Sequence, residues 1–189
     1  MTGRIERLQN EFHIDIHWTA FPLHPETPQE GRTLEDLFAG RPINIEEMVA
    51  RLKHVANDLG LPFGTREKTY NSRLAQEVGK WAESEGRGNE FHNAVFRAYF
   101  AEGLNISDIS NLIKLGKKVG LPEDNLRGVV ETRAYKVDVD SDWARSYQLG
   151  ITAVPTFMIN HQALVGAQPY NVLAKFMESN HVSRRNIDQ

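Results

Sequence analysis

Apolar and polar positions divide this chain into three stretches with different periods. Ile5, Leu8 and Phe12 recur at helical intervals within residues 4–12, so the sequence opens on an amphipathic helix with no capping residue ahead of it. His13 to Trp18 alternates instead. Ile14, Ile16 and Trp18 share one face and His13, Asp15 and His17 the other, which is the pattern of a half-buried strand. Phe21-Pro22-Leu23-His24-Pro25 breaks it into a loop that Pro28 and Gly31 prolong. From about Thr33 to Tyr135 the period is helical. Asn44 stands as the N-cap of a helix that runs to Leu59-Gly60-Leu61-Pro62. Thr69 to Glu83 predicts a second helix with Leu74, Val78 and Trp81 on its buried side, and Glu90 to Phe100 a third that is rich in aromatics. Ser107 to Val119 and Pro122 to Arg133 supply two shorter ones. Beyond Tyr135 the pattern changes again. A helix over Asp140 to Leu149 stops at Gly150, strands over Pro155 to Asn160 and Ala163 to Val165 meet at a tight turn at His161-Gln162, and Gln168 to Ser179 closes as a helix. The tail around Arg184-Arg185 reads as loose.

Strand and helix pieces at both ends, with a helical block between, predict an α/β core interrupted by an all-helical insertion. The expected division is 1–32 with 136–189 for the core and 33–135 for the insertion. Composition narrows the function. A net charge of -3 with no dense Lys/Arg run argues against nucleic acid, and Lys114, Lys117 and Lys118 read as a solvated helix face. No apolar run reaches membrane-spanning length and the first residues are too polar for a secretory signal, so the expectation is a cytoplasmic protein without a membrane partner. The absence of cysteine excludes disulfides and thiolate metal sites in this chain.

The segment Gly150-Ile-Thr-Ala-Val-Pro-Thr-Phe-Met-Ile-Asn160 carries the most specific chemistry. A proline belongs at the first residue of a strand, and an X-Pro bond takes the cis form far more cheaply than any other. A cis bond at Val154-Pro155 would turn the N–H and C=O of Val154 outward, where an extended peptide could pair with them. The plainer reading of these residues is a trans proline that starts a strand. Other candidates are weaker. His13, Asp15 and His17 share a strand face, but a solvated polar face explains them better than a metal site. Asp138, Asp140 and Asp142 have the spacing of a calcium loop, with Trp143 where that loop needs glycine and Leu149 where it needs glutamate, so calcium is rejected. Neither a metal nor another cofactor is expected. Asn105-Ile106-Ser107 fits a glycosylation acceptor, which has no meaning in a cytoplasmic protein.

Several segments in order resemble the DsbA-like thioredoxin-fold family, and within it the FrnE-like branch. They are Phe21-Pro22-Leu23-His24-Pro25, Tyr70-Asn71-Ser72, Phe96-Arg-Ala-Tyr-Phe-Ala-Glu-Gly103 with Ile106-Ser-Asp108, Gly120-Leu121, the loop from Gly150 to Phe157, and Gly166-Ala-Gln-Pro169. The resemblance implies a thioredoxin-like fold with the helical block inserted, a cis proline at Pro155, and thiol–disulfide exchange by a Cys-x-x-Cys motif at a helix N-terminus. It implies that Val154, Pro155 and Thr156 align the substrate while Phe21, Leu23 and Asn71 line the groove. The expected partner is a thiol or disulfide peptide, or a small thiol such as glutathione. The family's first strand, its motif and the start of its first helix find no match here, so the expectation is an N-terminally incomplete chain, redox-inactive as it stands. Two further explanations are a natural fragment, and a gap filled by another segment or by another chain in a homo-oligomer. Two further functional readings stand beside this one. A glutathione-dependent transferase or isomerase of the kappa and 2-hydroxychromene-2-carboxylate isomerase type uses serine for the first cysteine, but follows the loop with a Gly-Gln-Asp-Arg type of segment that Gly166-Ala-Gln-Pro169 does not match. A non-catalytic peptide-binding module is the other.

Overall fold

The computed structural model of the chain describes residues 2–65 and 67–185. Their contacts gather into two compact units: Met1–Leu23 with Asp142–Gln189, and His24–Ser141.

The first unit opens with α1 (Thr2–Glu11), whose apolar positions repeat at i, i+3 and i+7 and bury Ile5, Leu8 and Phe12. Its partner is α9 (Tyr170–Ser179), which turns Leu173, Ala174 and Met177 inward at the same helical spacing. Leu8, Phe12, Leu173, Ala174 and Met177 form the core, with Ile14, Phe157, Ile159 and Leu164 half-buried against it. Phe157, Ile159 and Leu164 come from a hairpin of β3 (Thr156–Ile159) and β4 (Gln162–Val165), paired Thr156 to Val165 through Ile159 to Gln162. Its turn is Asn160-His161, one residue earlier than the sequence suggests. Both turn residues have positive φ, 47° and 64°, the conformation that a two-residue hairpin loop requires and that asparagine tolerates well.

Two further expectations for this unit change. Residues 13–18 keep the alternation of a strand, with Ile14, Ile16 and Trp18 half-buried and His13, Asp15 and His17 exposed, yet they form no strand. A ladder needs a neighbour, and no strand among the described residues pairs with this segment. The Arg184-Arg185 tail is not loose. Arg184 bridges to Phe12, pairs with Glu11 and Glu178, and lies 4.7 Å over the Phe12 ring. Arg185 donates its backbone N–H to Glu11 O and its Nε to Gln9 O and Phe12 O. The residues after Arg185, which the sequence puts in the same tail, lie outside the described residues.

The second unit begins with β1 (Arg32–Thr33), α2 (Leu34–Leu37) and α3 (Ile45–Asp58), with Asn44 capping α3 by accepting the Glu47 N–H at 3.2 Å. β2 (Lys68–Thr69) pairs antiparallel with β1, so Thr69 belongs to a strand and not to the helix that the sequence predicts to start there. α4 (Arg73–Ser84), α5 (Gly88–Phe100), α6 (Ile109–Lys118) and α7 (Glu123–Thr132) then pack around Val78, Ala82, Phe91, Ala98, Leu112 and Leu126, each almost fully buried. Full burial of a Phe or Leu side chain contributes roughly 1.5–3 kcal/mol. α6 and α7 approach closely because Gly116 has no side chain. A Cβ there would collide with Leu126. α8 (Lys136–Gln148) starts four residues before the predicted Asp140, and the boundary between the units falls inside it.

Candidate functional site

In the first unit, two stretches that the sequence singles out are both fixed to the C-terminal half of α8. The helix ends at Gly150, whose φ of 66° lets Gly150 N–H reach Tyr147 O and Ile151 N–H reach Ser146 O, each at 3.0 Å. This double-bonded cap satisfies the last carbonyls and sends the chain into the loop 151–155. On the other side, Asp142 Oδ2 accepts the Ala20 N–H at 2.9 Å, and the buried Ser146 donates its hydroxyl to Ala20 O at 3.4 Å. Ala20 leads directly into Phe21, Pro22 and Leu23, where Leu23 N–H bonds Phe21 O at 3.0 Å. Leu23 is 54% exposed and Phe21 half-buried.

The loop itself contains the one cis bond among the described residues, Val154–Pro155. Pro155 O accepts the Gly166 N–H at 2.7 Å, which carries the hairpin pairing one step past β3. The opposite face of the Gly166-Ala-Gln-Pro169 turn is held by Arg4, which donates to Ala167 O and Gln168 O. Thr156 Oγ1 donates to Ala153 O at 2.7 Å, closing the loop on itself. Val154 remains open: its side chain is 44% exposed, and its N–H and C=O have no partner among the described residues. Leu149, Met158 and Val165 are exposed apolar neighbours in sequence and along the hairpin. No titratable side chain lies between Leu149 and Asn160. The segment itself therefore offers backbone hydrogen bonds and apolar contact.

Asn71 belongs to the second unit, and its side chain is occupied. Nδ2 donates to Thr27 O at 2.7 Å and Pro25 O at 3.3 Å, while Oδ1 accepts the Arg73 N–H at 2.9 Å. It pins the loop that follows Leu23 and starts α4. Asn105 and Ser107 do similar work further along the same loop, both donating to Gln29 O, at 3.0 and 2.6 Å. Sequence reasoning missed this role, because it weighed the Asn-x-Ser spacing only as a glycosylation acceptor, dismissed it, and looked no further. The i, i+2 pair of side-chain amide and hydroxyl was the available clue. His13, Asp15 and His17 point outward from their extended segment, and no group of three or more His, Cys, Asp or Glu among the described residues could hold a metal. No helix among them is long and apolar enough to cross a membrane.

The loop thus stands between a capped helix and an antiparallel hairpin, and the family model for the DSBA-like thioredoxin domain matches residues 1–178. The chain belongs to the DSBA-like thioredoxin family. Among curated proteins, this DSBA-like chain is 28% identical over 165 residues to the uncharacterized protein YwbO of Bacillus subtilis (strain 168), covering 86% of this chain and 80% of that one. Among solved structures it resembles the probable DsbA oxidoreductase SCO1869 from Streptomyces coelicolor, with a TM-score of 0.85, 24% identity, and coverage of 98% and 85% of the two chains. A 2-hydroxychromene-2-carboxylate isomerase shares the fold at a TM-score of 0.74 and 18% identity, covering 94% and 85%. The DSBA-like thioredoxin fold with a helical insertion is thus the architecture of this chain.

Proposed function

We propose that this protein is a FrnE-like member of the DsbA family, cytoplasmic, whose Ala153–Thr156 loop aligns an extended thiol or disulfide peptide by strand pairing. The observation that carries the reading is Val154. Its backbone donor and acceptor are both unpartnered among the described residues, with exposed apolar side chains along the same segment and no titratable one between Leu149 and Asn160. An added strand would satisfy both groups, and its alternate side chains would meet the apolar wall. In thiol–disulfide exchange a thiolate attacks one sulfur of a disulfide, the old S–S bond breaks as the new one forms, and a second thiol resolves the mixed disulfide. This chain has no cysteine and supplies neither thiol. Its share of such a reaction is to hold the substrate backbone in line, with Val154, Pro155 and Thr156 as the pairing edge and Phe21 and Leu23 as apolar contacts. Asn71 acts through the loop it pins.

The test is a titration of a short extended peptide containing a disulfide, followed on the Val154 amide. We expect that amide to shift, and backbone N-methylation of the peptide to weaken binding by about tenfold or more at alternate residues only, as a two-residue repeat of pairing requires. The chain alone should neither reduce insulin nor oxidise dithiols. Binding that ignores N-methylation, or turnover without any cysteine, would overturn the reading. Binding of glutathione with no peptide binding would move it to the transferase and isomerase type.

A further inference from the structure

The helix α3 carries an apolar stripe that its own unit leaves open. Ile45, Met48, Val49, Leu52, Val55, Ala56 and Leu59 fall at i, i+3, i+4, i+7, i+10, i+11 and i+14, one continuous seam along the helix. Such a seam is normally buried. Here Ala56 is the one residue of α3 that is buried, while Leu52 is 44% and Val55 43% exposed. At the N-terminal half of the helix the seam widens into an open groove, lined by Ile45 and Val49 on one side and Leu34 on the other.

The charges beside the seam show what fits it. On a helix of 3.6 residues per turn, Glu46 and Lys53 lie on one flank of the stripe. Neither has an ion-pair partner among the described residues. That flank is acidic toward the N-terminus and basic further on. When two such helices pair antiparallel about a two-fold axis, each flank faces the same flank of its copy. With the axis beside Val49, Glu46 of each chain lies opposite Lys53 of the other. Ile45, Met48, Val49 and Leu52 then meet across the axis. The surface is complementary to itself in both charge and apolar pattern.

We propose that α3 is a homodimer interface, in which two copies of this chain pair their α3 helices antiparallel across a two-fold axis near Val49. The pairing is independent of the peptide-binding reading, since every residue in it belongs to α3 and its groove. It accounts for an apolar stripe left half-buried to exposed along all but one of its positions, a surface that association would cover.

Sedimentation velocity over a wide range of protein concentration tests it, with helical content and melting temperature recorded for each variant. The unaltered chain should be a dimer. Glu46→Lys places like charges opposite each other twice per dimer and should weaken association about tenfold. Adding Lys53→Glu to it reverses both partners and should restore the dimer, which neither a foreign partner nor a structural defect would do. Val49→Asp should abolish the dimer while the fold stays helical. A chain that is monomeric throughout, a dimer indifferent to Glu46→Lys and Val49→Asp, or a double variant no better than the single one would overturn the proposal. A monomer whose α3 variants lose binding to anionic vesicles would overturn it in favour of a membrane surface.

Discussion

Glu77 ties α4 to the residue that ends α7. Its carboxylate is 1% exposed and accepts from Arg73 Nε at 2.7 Å and from Arg133 Nε and Nη2, each at 2.6 Å. Arg133 sits at φ 54°, an unfavourable conformation for an L-residue, and these two bonds hold its side chain in place. Burial alone would raise the carboxyl pKa. The bonds from Arg133 and Arg73 outweigh it and keep Glu77 below the usual carboxylate range. Glu77→Gln should cost about 2 kcal/mol in denaturant unfolding, because it puts a neutral amide, with one oxygen to accept and two N–H groups facing donors, where a buried carboxylate accepts three guanidinium hydrogen bonds. A folded pKa below the unfolded one gives stability that is present above about pH 4.3 and lost as the pH falls through the folded value. The variant's stability should therefore fall less steeply in that acid range, and parallel pH profiles would refute the assignment. His92 adds to the same limb: burial lowers its pKa to about 4, so its contribution fades between about pH 6.5 and that value. None of this was legible in the sequence. Arg73 and Glu77 show helical spacing, but Arg133 is remote along the chain and nothing local links it to them. The family resemblance puts Asn71 in the groove and gives no hint of an anchor, since its partners at Pro25 and Thr27 are carbonyl groups, which any residue can supply.

At the level of elements, hydrophobic period placed the helices well and turns placed them less well. Asn44 and Gly150 were readable because capping depends on one or two residues, and Asn44 accepts its N–H bond at 3.2 Å; the cap at Asp108, which accepts the Asn111 N–H at 2.9 Å, went unread inside a helix expected to start at Ser107. The hairpin turn was displaced by one residue because His161 is an unusual choice for positive φ, whereas Asn160 is a common one. That choice gives a prediction. His161→Gly should stabilise the hairpin by about 1 kcal/mol, measured by denaturant unfolding, since glycine adopts this φ without the penalty that histidine carries. Destabilisation would mean that the exposed imidazole makes a contact of its own. The start of α8 was missed for a different reason. Only Val139 and Ser146 along it are buried, so there is too little apolar repeat for sequence reasoning to follow.

For the molecule as a whole, the order of motifs revealed more than any single motif. The loop Phe21–Leu23, the Gly150 cap, the Val154–Pro155 pair and the Gly166 turn lie far apart in sequence, yet they answer to one frame, and that is why the family could be read before the structure. The helical unit has a large core of its own. The other unit has a small one, assembled from both ends of the chain and joined by Arg184 and Arg185 on α1. Pairing between strands is a relation between distant segments, and the alternation at 13–18 shows how much a sequence can say about a face while saying nothing about a neighbour.

That segment also has a consequence in time. The backbone N–H groups of Asp15, Ile16 and His17 have no hydrogen bond among the described residues, whereas those of α9 lie inside a helix against the core. In heavy water the three amides should exchange at nearly the rate of an unfolded chain while the Leu173 and Met177 amides persist until the unit opens. Protection of the three by more than about 2 kcal/mol would reveal a strand laid beside them.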